Sequence, residues 1–534
     1  MANFLYFQIH SSGANQDSVD FEVVGFEGHE AISRSYEFKF DLRSEIDLNQ
    51  VNFLGKRGTF TIQMDNVGDY SVKTQDSTYH GLIFEFTTCG KIKDHYYYKA
   101  TLAPKLDKLK YSTRSNVYIE SSLSVILNSL FNEHGLSTQD QKLAFNTEDK
   151  KYQSTSGVYN RYGYVCQYEE SDFNFINRLL ERDGVYYYFN QSNPDCEQLV
   201  VTDRKEEFLK REQKLSFRFS SEQSSAPDPN AVNYIELHSK LVPKQVTLMN
   251  FGYEKANLGD NGVISCTANV SANGQEDGSL FGELVIYGEN FINPDNQEDG
   301  KFLAGVRAQE IYSHSRVFTA KSTAVPVNAG MKIQIEDDEN KGANGDYLVI
   351  EIFHRGQQQL AGMENLSESP IFYENTLTLI PATVQFRPQR ISPWPRIYGT
   401  MNALIDGELG GSYPFIDSMG RYKVRLPFLK EAKPDAKGSI WLRLATPFAG
   451  DEYGFHFPLY RGTEVVLSFR NGDPDLPVIV NAVFNSLHKN VIVDANSYIG
   501  GAIVTNAGNV FAMNDRKDAT SIGIYANKTW HEYK

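Results

Sequence analysis

The sequence has 534 residues, and at about 150 residues per domain this length predicts roughly two to four domains. The 52 basic and 67 acidic residues give a formal net charge of −15, which argues against a protein that coats nucleic acid or an anionic membrane through bulk charge. A hydrophobic fraction of 41% and an aromatic fraction of 13% exclude a wholly disordered chain and favour β-strands. Because the net charge provides no attraction to a polyanion, any partner must be recognised by its shape.

The cysteines and the N-terminus bear on where the chain is made. The four cysteines are too widely spaced for a CxxC pair, so we expect reduced and mostly buried thiols at Cys89, Cys166, Cys196 and Cys266. Residues 1–10 contain no basic n-region and no apolar h-region, and no stretch approaches the ~18 apolar residues that a membrane span needs. We expect synthesis in the cytoplasm, no membrane anchor, and export, if any, without a cleavable signal peptide.

Residues 1–380 are predicted to be mostly β with a few docked helices. Short apolar stretches punctuated by Gly, Asp or Asn predict strands from Phe4 to about Phe86. The spacing of apolar residues predicts an amphipathic helix over 121–135, which begins after a Ser cap and ends at Gly135. Its predicted buried residues are Leu123, Ile126, Leu127, Leu130 and Phe131.

A second helix is predicted over 171–184, with Ser171 as the N-cap and Gly184 at the end. Its predicted buried residues are Phe173, Ile176, Leu179 and Leu180. A strand is predicted to follow at 185–189 and a third helix at 302–314. Asn344-Gly345 lies between two apolar runs and predicts a hairpin turn.

A change of composition marks a predicted domain boundary, because three prolines fall within residues 387–396. Beyond it, five strands are predicted in about 90 residues, the size of a small closed barrel of the OB type. These strands cover residues 397–404, 421–428, 440–445, 463–469 and 477–484. In the second of them, one face carries Tyr422, Val424, Leu426 and Phe428.

Residues 498–528 are short β-prone pieces separated by Gly, Asn and Asp. A segment of roughly 45 such residues cannot bury a core of its own, so a partner chain must cover it. Self-association is the simplest source of that partner.

The sequence resembles the VgrG family, the spike proteins of the bacterial type VI secretion system, and the hub and spike of contractile phage tails. The resemblance covers essentially residues 3–528. It is carried by segments that occur in the family's order, namely 21–42, 51–62, 79–86, 166–189, 241–257, 344–354, 396–405, 417–428, 439–450, 457–485 and 506–528. The segment CQYEESDFNFINRLLERDGVYYYF (166–189) is similar to the family's most recognisable hub segment.

The resemblance implies a mainly β fold with phage hub-like β-barrels, an OB-fold barrel and the start of a trimeric, intertwined β-helix. It implies three domains: a hub-like base at 1–386, a linker with an OB-fold neck at 387–490, and the start of a C-terminal β-helix needle at 491–534. The family's long needle and the effector domain of some members are not expected, because the sequence stops at Lys534.

The function implied by the resemblance is a non-enzymatic, homotrimeric spike of a contractile injection machine. Such a spike caps a hexameric, Hcp-like tube, meets baseplate proteins, and carries a PAAR-repeat tip protein together with effector or adaptor proteins. It assembles in the bacterial cytoplasm and is then secreted or injected into a target cell. An extracellular injection particle, a phage tail, a carbohydrate or receptor-binding tail protein, and a cell-wall hydrolase on the same scaffold remain alternatives.

Chemical motifs give little support to an enzyme, since GxSxG, HExxH, GxGxxG and P-loop patterns do not occur. Glu169, Glu170 and Asp172 could form a carboxylate pair for glycoside hydrolysis, but acidic residues at a helix N-terminus favour a structural interpretation. Residues 295–300 resemble half of a calcium loop with Val306 in place of the final Glu, so a solvated loop is favoured.

Histidines and the OB barrel give no site either. The histidines among strands and aromatic residues are expected to be ordinary core or surface residues: His314, His354 and His456. Residues 395–485 carry ten basic and ten acidic side chains, so nucleic-acid binding by the barrel is not expected. We therefore predict no catalytic, cofactor-binding or metal-binding residues.

Overall fold

The computed structural model describes residues 5–10, 18–64, 75–119, 121–145, 164–211, 214–217, 231–253, 256, 262–271, 280–290, 298–336, 343–358, 360, 372–408, 410–429, 438–491, 500–526 and 529–533. Within these ranges the chain forms 29 β-strands, three α-helices and short 3₁₀ helices. The chain divides into two compact units. The larger consists of Met1–Arg114, Glu120–Gly163 and Gln167–Pro395, and the smaller of Ser115–Ile119, Tyr164–Cys166 and Arg396–Lys534.

The elements up to residue 202 are eleven strands and two helices. The strands and helices are β1 (Leu5–Ile9), β2 (Val19–Ala31), β3 (Glu37–Ser44), β4 (Arg57–Met64), β5 (Gln75–Ile92), β6 (His95–Ala103), β7 (Thr113–Ile119), α1 (Leu123–Glu133), β8 (Gln141–Leu143), β9 (Tyr164–Ser171), α2 (Asp172–Asp183), β10 (Tyr186–Asn190) and β11 (Gln198–Thr202). A 3₁₀ helix at Lys105–Tyr111 joins β6 to β7.

The remaining elements are strands, apart from one helix. They are β12 (Leu209–Lys210), β13 (Leu215–Phe217), β14 (Ala231–Ser239), β15 (Gln245–Phe251), β16 (Val263–Asn269), β17 (Glu283–Tyr287), α3 (Glu298–Ser313), β18 (Arg316–Ser322), β19 (Met331–Glu336), β20 (Gly345–Gln357), β21 (Phe372–Pro381), β22 (Met401–Ile405), β23 (Val424–Arg425), β24 (Glu464–Phe469), β25 (Pro477–Val483), β26 (Gly500–Val504), β27 (Val510–Asn514), β28 (Ser521–Ala526) and β29 (Thr529–Tyr533).

The large sheet of the first unit consists of two rings of six strands. Strands β1, β4, β5, β6, β3 and β2 are paired in that order, and a further β1–β2 pairing closes the ring. Strands β20, β21, β18, β14, β13 and β19 form the second ring, which the β19–β20 pairing closes. The rings share the antiparallel β2–β20 pairing, from Gly25 opposite Gln357 to Ala31 opposite Glu351. The hub-like fold therefore contains two similar barrels.

Aromatic side chains fill the barrel that the first ring of strands forms. Strand β3 alternates between exposed residues and the buried Phe38, Phe40 and Leu42, as a strand with one face on a core should. The ring of Phe40 stacks on that of Phe7 with centroids 4.4 Å apart. The barrel that the second ring of strands forms has an aliphatic core instead, which includes Leu215, Val232, Ile333, Ile335, Val349, Ile352, Leu377 and Leu379.

The predicted helix at 121–135 forms as α1. The hydroxyl of Ser122 accepts a hydrogen bond from the Val125 amide, and Gly135 follows the helix with a φ of 74°. The five residues predicted to be buried are all completely buried. Local signals therefore placed this helix correctly, because capping and periodicity agree.

The predicted helix at 171–184 forms as α2, and one of its predicted core residues is wrong. Ser171 caps the helix through the Asn174 amide at 3.1 Å, and Gly184 ends it with a φ of 72°. Phe173 is only half-buried, whereas Phe175 is completely buried. The reason is that α2 is covered on most of its circumference, so a single apolar stripe does not describe its buried surface.

Two other predictions require correction. Helix α3 begins at Glu298, so Asp299 and Gly300 lie in a helix and not in a solvated loop; residues 295–297 lie outside the described residues. Gly345 pairs with Ile335 in the β19–β20 hairpin, so Asn344-Gly345 is not its two-residue turn. The connection between these strands spans residues 337–344, of which only 343 and 344 are described.

The OB part of the second unit has less regular strand structure than predicted. Its sheet has the order β23, β22, β24, β25. The predicted strand at 421–428 shortens to β23, with Tyr422, Val424 and Leu426 buried and Phe428 half-buried. The predicted strand at 440–445 contributes only isolated bridges, through Leu442 and Leu444, because the strands of a small barrel bend and break their ladders.

Strands β26 to β29 form an antiparallel meander at the C-terminus. Their short length fits the predicted alternation of β-prone pieces with Gly, Asn and Asp. Among the helices of the described residues, none is long and apolar enough to cross a membrane.

Candidate functional site

The candidate carboxylates at the start of α2 are engaged in ion pairs. Arg178 donates from Nε to both carboxyl oxygens of Glu170 at 3.0 Å, and from Nη2 to Oε1 at 2.8 Å. Both side chains are buried, and burial raises the pKa of Glu170 although the guanidinium of Arg178 opposes this effect. The same guanidinium lies over the ring of Trp394, 4.5 Å from its centroid.

The carboxyl of Asp172 is contacted by more side chains than that of Glu170. Its completely buried carboxyl accepts from Arg114 Nε at 2.8 Å and Nη2 at 2.7 Å, and from Gln167 Nε2 at 2.8 Å. His134 Nε2 lies 2.7 Å from Oδ2. Burial opposes ionisation, but these donors outweigh it and lower the pKa of Asp172. The geometry therefore favours the structural interpretation of both carboxylates over glycoside hydrolysis.

The three histidines occupy different environments. His354 is buried, with Nε2 2.8 Å from Glu30 Oε1 and Nδ1 2.9 Å from the hydroxyl of Tyr373. His314 is half-buried, and burial lowers its pKa to about 4. His456 is exposed. His354 is thus a hydrogen-bonded core histidine, as predicted.

The thiols and carboxylates give no metal centre in the part of the chain that the structure describes. In those ranges, no group of three or more His, Cys, Asp or Glu residues could hold a metal ion. All four cysteines are free; Cys166, Cys196 and Cys266 are buried and Cys89 is exposed.

The three basic residues of the segment 421–425 do not form a basic channel. Arg421 Nε lies 2.6 Å from Asp417 Oδ2, and Arg425 Nε lies 3.4 Å from Asp406 Oδ1. Lys423 Nζ lies 5.1 Å from the centroid of the half-buried Trp441 ring. Each base is therefore already paired with an acid or a ring, which agrees with the net charge of zero in this segment.

A buried ionic network between α2, α3 and the segment after β21 was not predicted. Arg390 donates from Nη1 and Nη2 to Glu289 at 2.7 and 3.1 Å, and Arg182 Nε lies 3.7 Å from the same carboxyl. Arg307 Nη2 donates to the Glu181 carbonyl at 2.6 Å. The paired residues are 101 to 126 positions apart, so periodicity within one helix gives no signal for their pairing.

The proline-containing segment 387–395 is fixed to α2 by the same network. The Glu181 carboxyl accepts from the backbone amides of Ile391 at 3.1 Å and Ser392 at 2.9 Å, and Arg387 donates to the Gly184 carbonyl at 2.7 Å. An extended segment cannot satisfy its own amides, so α2 supplies the acceptors. This segment is therefore an ordered part of the larger unit.

The C-terminal meander has an uncovered apolar face, and this face is the candidate functional site. The register places Ile503 opposite Phe511, Phe511 opposite Ile524, and Met513 opposite Ile522, so all five side chains share one face. Between 37% and 47% of each side chain is exposed in the single chain. Five large apolar side chains exposed together on one sheet indicate a protein contact surface.

Comparison with known proteins identifies the family. A family model described as phage tail baseplate hub (GPD) matches residues 29–360, and one described as type VI secretion system/phage-baseplate injector OB domain matches residues 416–484. Because the first match covers more than half of the sequence, the chain belongs to the phage tail baseplate hub (GPD) family.

Curated relatives confirm the resemblance to VgrG spike proteins. The type VI secretion system spike protein VgrG4b of Pseudomonas aeruginosa is 24% identical over 99% of this chain and 63% of its own length. The spike protein VgrG3 of Vibrio cholerae is 24% identical over 98% of this chain and 50% of its own length. The chain thus spans less than two thirds of the length of these relatives.

Solved structures share the fold. An E. coli protein described as a type VI secretion component with structural similarity to the phage T4 tail proteins gp27 and gp5 aligns with a TM-score of 0.58 and 20% identity, covering 89% of this chain and 99% of that one. The VgrG complex with PdpA from Francisella, in its half-lidded form, aligns with a TM-score of 0.66 and 11% identity, covering 99% and 86%. The mainly β hub-and-OB architecture is therefore the predicted one.

Proposed function

We propose that this chain is the structural spike protein of a type VI secretion system, a homotrimer that caps the inner tube and punctures the target envelope. The observation that carries the proposal is the order of the two family matches on one chain, the baseplate hub at 29–360 and the injector OB domain at 416–484. The spike relatives named above align with both parts.

The trimer is supported by the apolar face of the meander. A single chain leaves these side chains partly in water, which costs about 25 cal/mol for each Å² of apolar surface. Copies of the same chain are always present at the same concentration, so self-association is the simplest way to cover the face. We propose that residues 491–534 form the base of a needle in which three chains intertwine.

The two rings of the larger unit suit the attachment of a threefold spike to a sixfold tube. Each chain contributes two six-stranded rings, so three chains present six similar rings. Six similar contacts match a hexameric, Hcp-like tube protein without a change of symmetry. We assign the hub to residues 1–386 and the linker and OB-fold neck to residues 387–490, of which 387–395 pack with the larger unit.

The remaining partners follow from the same assignment. Baseplate proteins contact the hub, and a PAAR-repeat tip protein with effector or adaptor proteins is carried at the needle. The complex of a VgrG with PdpA, named for a solved relative, supports the carriage of effectors. The function requires no bond chemistry, and the carboxylates of Glu170 and Asp172 serve the fold.

Two measurements test the proposal. Light scattering should give three times the 60.4 kDa chain mass, about 181 kDa. Deletion of the gene in the bacterium that encodes it should abolish export of the hexameric tube protein, and the wild-type gene should restore export. A monodisperse monomer at micromolar concentration contradicts the spike. Unchanged tube export with loss of phage or particle infectivity assigns the chain to those machines instead.

A further inference from the structure

The second unit carries another exposed apolar feature, a hairpin in the OB part. Residues 445–458 are all exposed. The Phe455 amide donates to the Phe448 carbonyl at 3.0 Å, and the Gly450 amide donates to the Tyr453 carbonyl at 2.8 Å. The segment is thus a hydrogen-bonded hairpin, which we call the aromatic hairpin.

The aromatic hairpin has a defined shape that two glycines permit. The ring of Tyr453 lies over Gly450, where a Cβ atom would approach it to 2.1 Å. Gly454 has a φ of 149°, and a Cβ there would lie 2.6 Å from the Phe448 carbonyl oxygen. Larger residues at either position would displace the turn, so the sequence specifies this conformation.

The hairpin displays aromatic rings to solvent. The exposed fractions are 55% for Phe448, 60% for Tyr453, 49% for Phe455 and 50% for Phe457. The rings pack on one another, with centroids 5.3 Å apart for Phe448 and Tyr453 and 6.1 Å apart for Phe455 and Phe457. Half-exposed rings of about 200 Å² each leave about 400 Å² of aromatic surface uncovered.

We infer that the aromatic hairpin is a contact surface between copies of this chain, an inference that rests on the proposed trimer. Multiplying exposed fraction by side-chain area in the same way leaves about 350 Å² uncovered on the five apolar side chains of the meander. The meander and the hairpin together approach the ~800 Å² that each partner buries in a typical stable interface. The meander alone supplies less than half of that area.

The type of surface also favours a second copy over a charged ligand. The acidic residues Asp451 and Glu452 lie at the turn beside the Tyr453 ring, and Phe448, Phe455 and Phe457 lie in the segments that flank the turn. Aromatic residues flanked by polar ones are typical of the anchors at the centre of protein interfaces. The rings of the hairpin would therefore bind an apolar surface of the neighbouring copy.

The test is sedimentation velocity of the full chain over a dilution series. The double variant Phe455→Ser/Phe457→Ser should dissociate at a concentration at least tenfold higher than the wild type. The control Tyr398→Ser removes an aromatic residue that is 90% exposed in the same unit but lies outside the hairpin, and it should leave dissociation unchanged. Equal dissociation of the double variant and the wild type overturns the inference.

Failure of the trimer itself is a separate result. A wild type that sediments as a monomer at every concentration contradicts the proposed spike and removes the basis of the inference with it. A wild-type trimer with an unaffected double variant contradicts only the role of the hairpin. Loss of tube export by a variant that still forms a wild-type trimer assigns the hairpin to another partner and likewise overturns the inference.

Hydrogen exchange on the wild type provides a measurement that does not depend on how the variants fold. Amides of residues 448–457 should exchange at least tenfold more slowly in the trimer than after dilution to monomer. Amides of α1 serve as the control, since their protection should not change. Equal exchange of the hairpin in both states contradicts a contact between copies.

Discussion

Glu289 provides a quantitative test of the ionic network in the larger unit. Burial of its carboxyl opposes ionisation, but Arg390, followed by Arg182 and Arg307, outweighs burial and lowers the pKa of Glu289 to about 2 from the usual 4.5. Arg390 is held by two hydrogen bonds to this carboxyl. Glu289→Gln keeps the shape and removes the charge, so we expect it to destabilise the unit.

The size of the effect follows from linkage. A pKa lowered from 4.5 to about 2 corresponds to roughly 3 kcal/mol, at about 1.36 kcal/mol for each pH unit. This agrees with the ~3–5 kcal/mol expected when one partner of a buried ion pair is removed. Because the folded pKa lies below the unfolded one, the contribution is fully present above pH 4.5 and is lost as the pH falls towards 2.

Urea unfolding of the full chain at pH 7, 5 and 3 provides the measurement. The free energy of unfolding of Glu289→Gln should be about 3 kcal/mol lower than that of the wild type at pH 7, and the difference should narrow at pH 3. Glu27→Gln is the matched control, since the carboxyl of Glu27 also faces an arginine, Arg355, but is 77% exposed. A difference for Glu289→Gln that is no larger than that of the control at pH 7 would refute the reasoning.

Three further predictions concern other parts of the chain. Burial lowers the pKa of His314 to about 4, so His314→Gln should remove the part of the stability that the wild type loses between pH 6.5 and 4 in the same urea series. Trp441→Ala should lower the free energy of unfolding, or weaken the trimer, by about 1–2 kcal/mol, because the ring is half-buried; an unchanged melting temperature together with an unchanged oligomer size contradicts this. Deletion of 495–534 should weaken the trimer in light scattering and abolish docking of a tip protein while the hub keeps cooperative melting; an equally tight trimer that still binds its tip contradicts this.

The helices of the hub could be predicted from the sequence because their signals are local. For α1, the cap at Ser122, the apolar period and Gly135 lie within 14 residues and specify the same helix. For α2, the same signals fix both ends but do not identify its buried surface, because the surrounding chain covers charged as well as apolar positions. Burial of Arg178 and Glu181 depends on contacts that no local pattern records.

The distant pairings could not be predicted for a physical reason. Glu181 accepts from the amides of Ile391 and Ser392, more than 200 residues away, and neither amide carries a signal in the sequence. The same holds for the pairing that joins the two rings of the large sheet, in which Gly25 of β2 lies opposite Gln357 of β20. Alternation identifies a strand and its buried face, but not the strand it pairs with.

The exposed apolar residues of the second unit show how the sequence anticipates an assembly. Ile522 and Ile524 share one face of β28, as they would in a strand with one face on a core, yet both are nearly half exposed in the single chain. Pattern and burial agree in β3, where Phe38 and Phe40 are covered by their own chain. Where they disagree, the pattern implies a core that a second copy of the chain would complete in the proposed trimer. The prediction of self-association from residues 498–528 depends on the small size of that segment, and the exposed isoleucines give the proposed trimer a physical reason, because neighbouring copies would cover them.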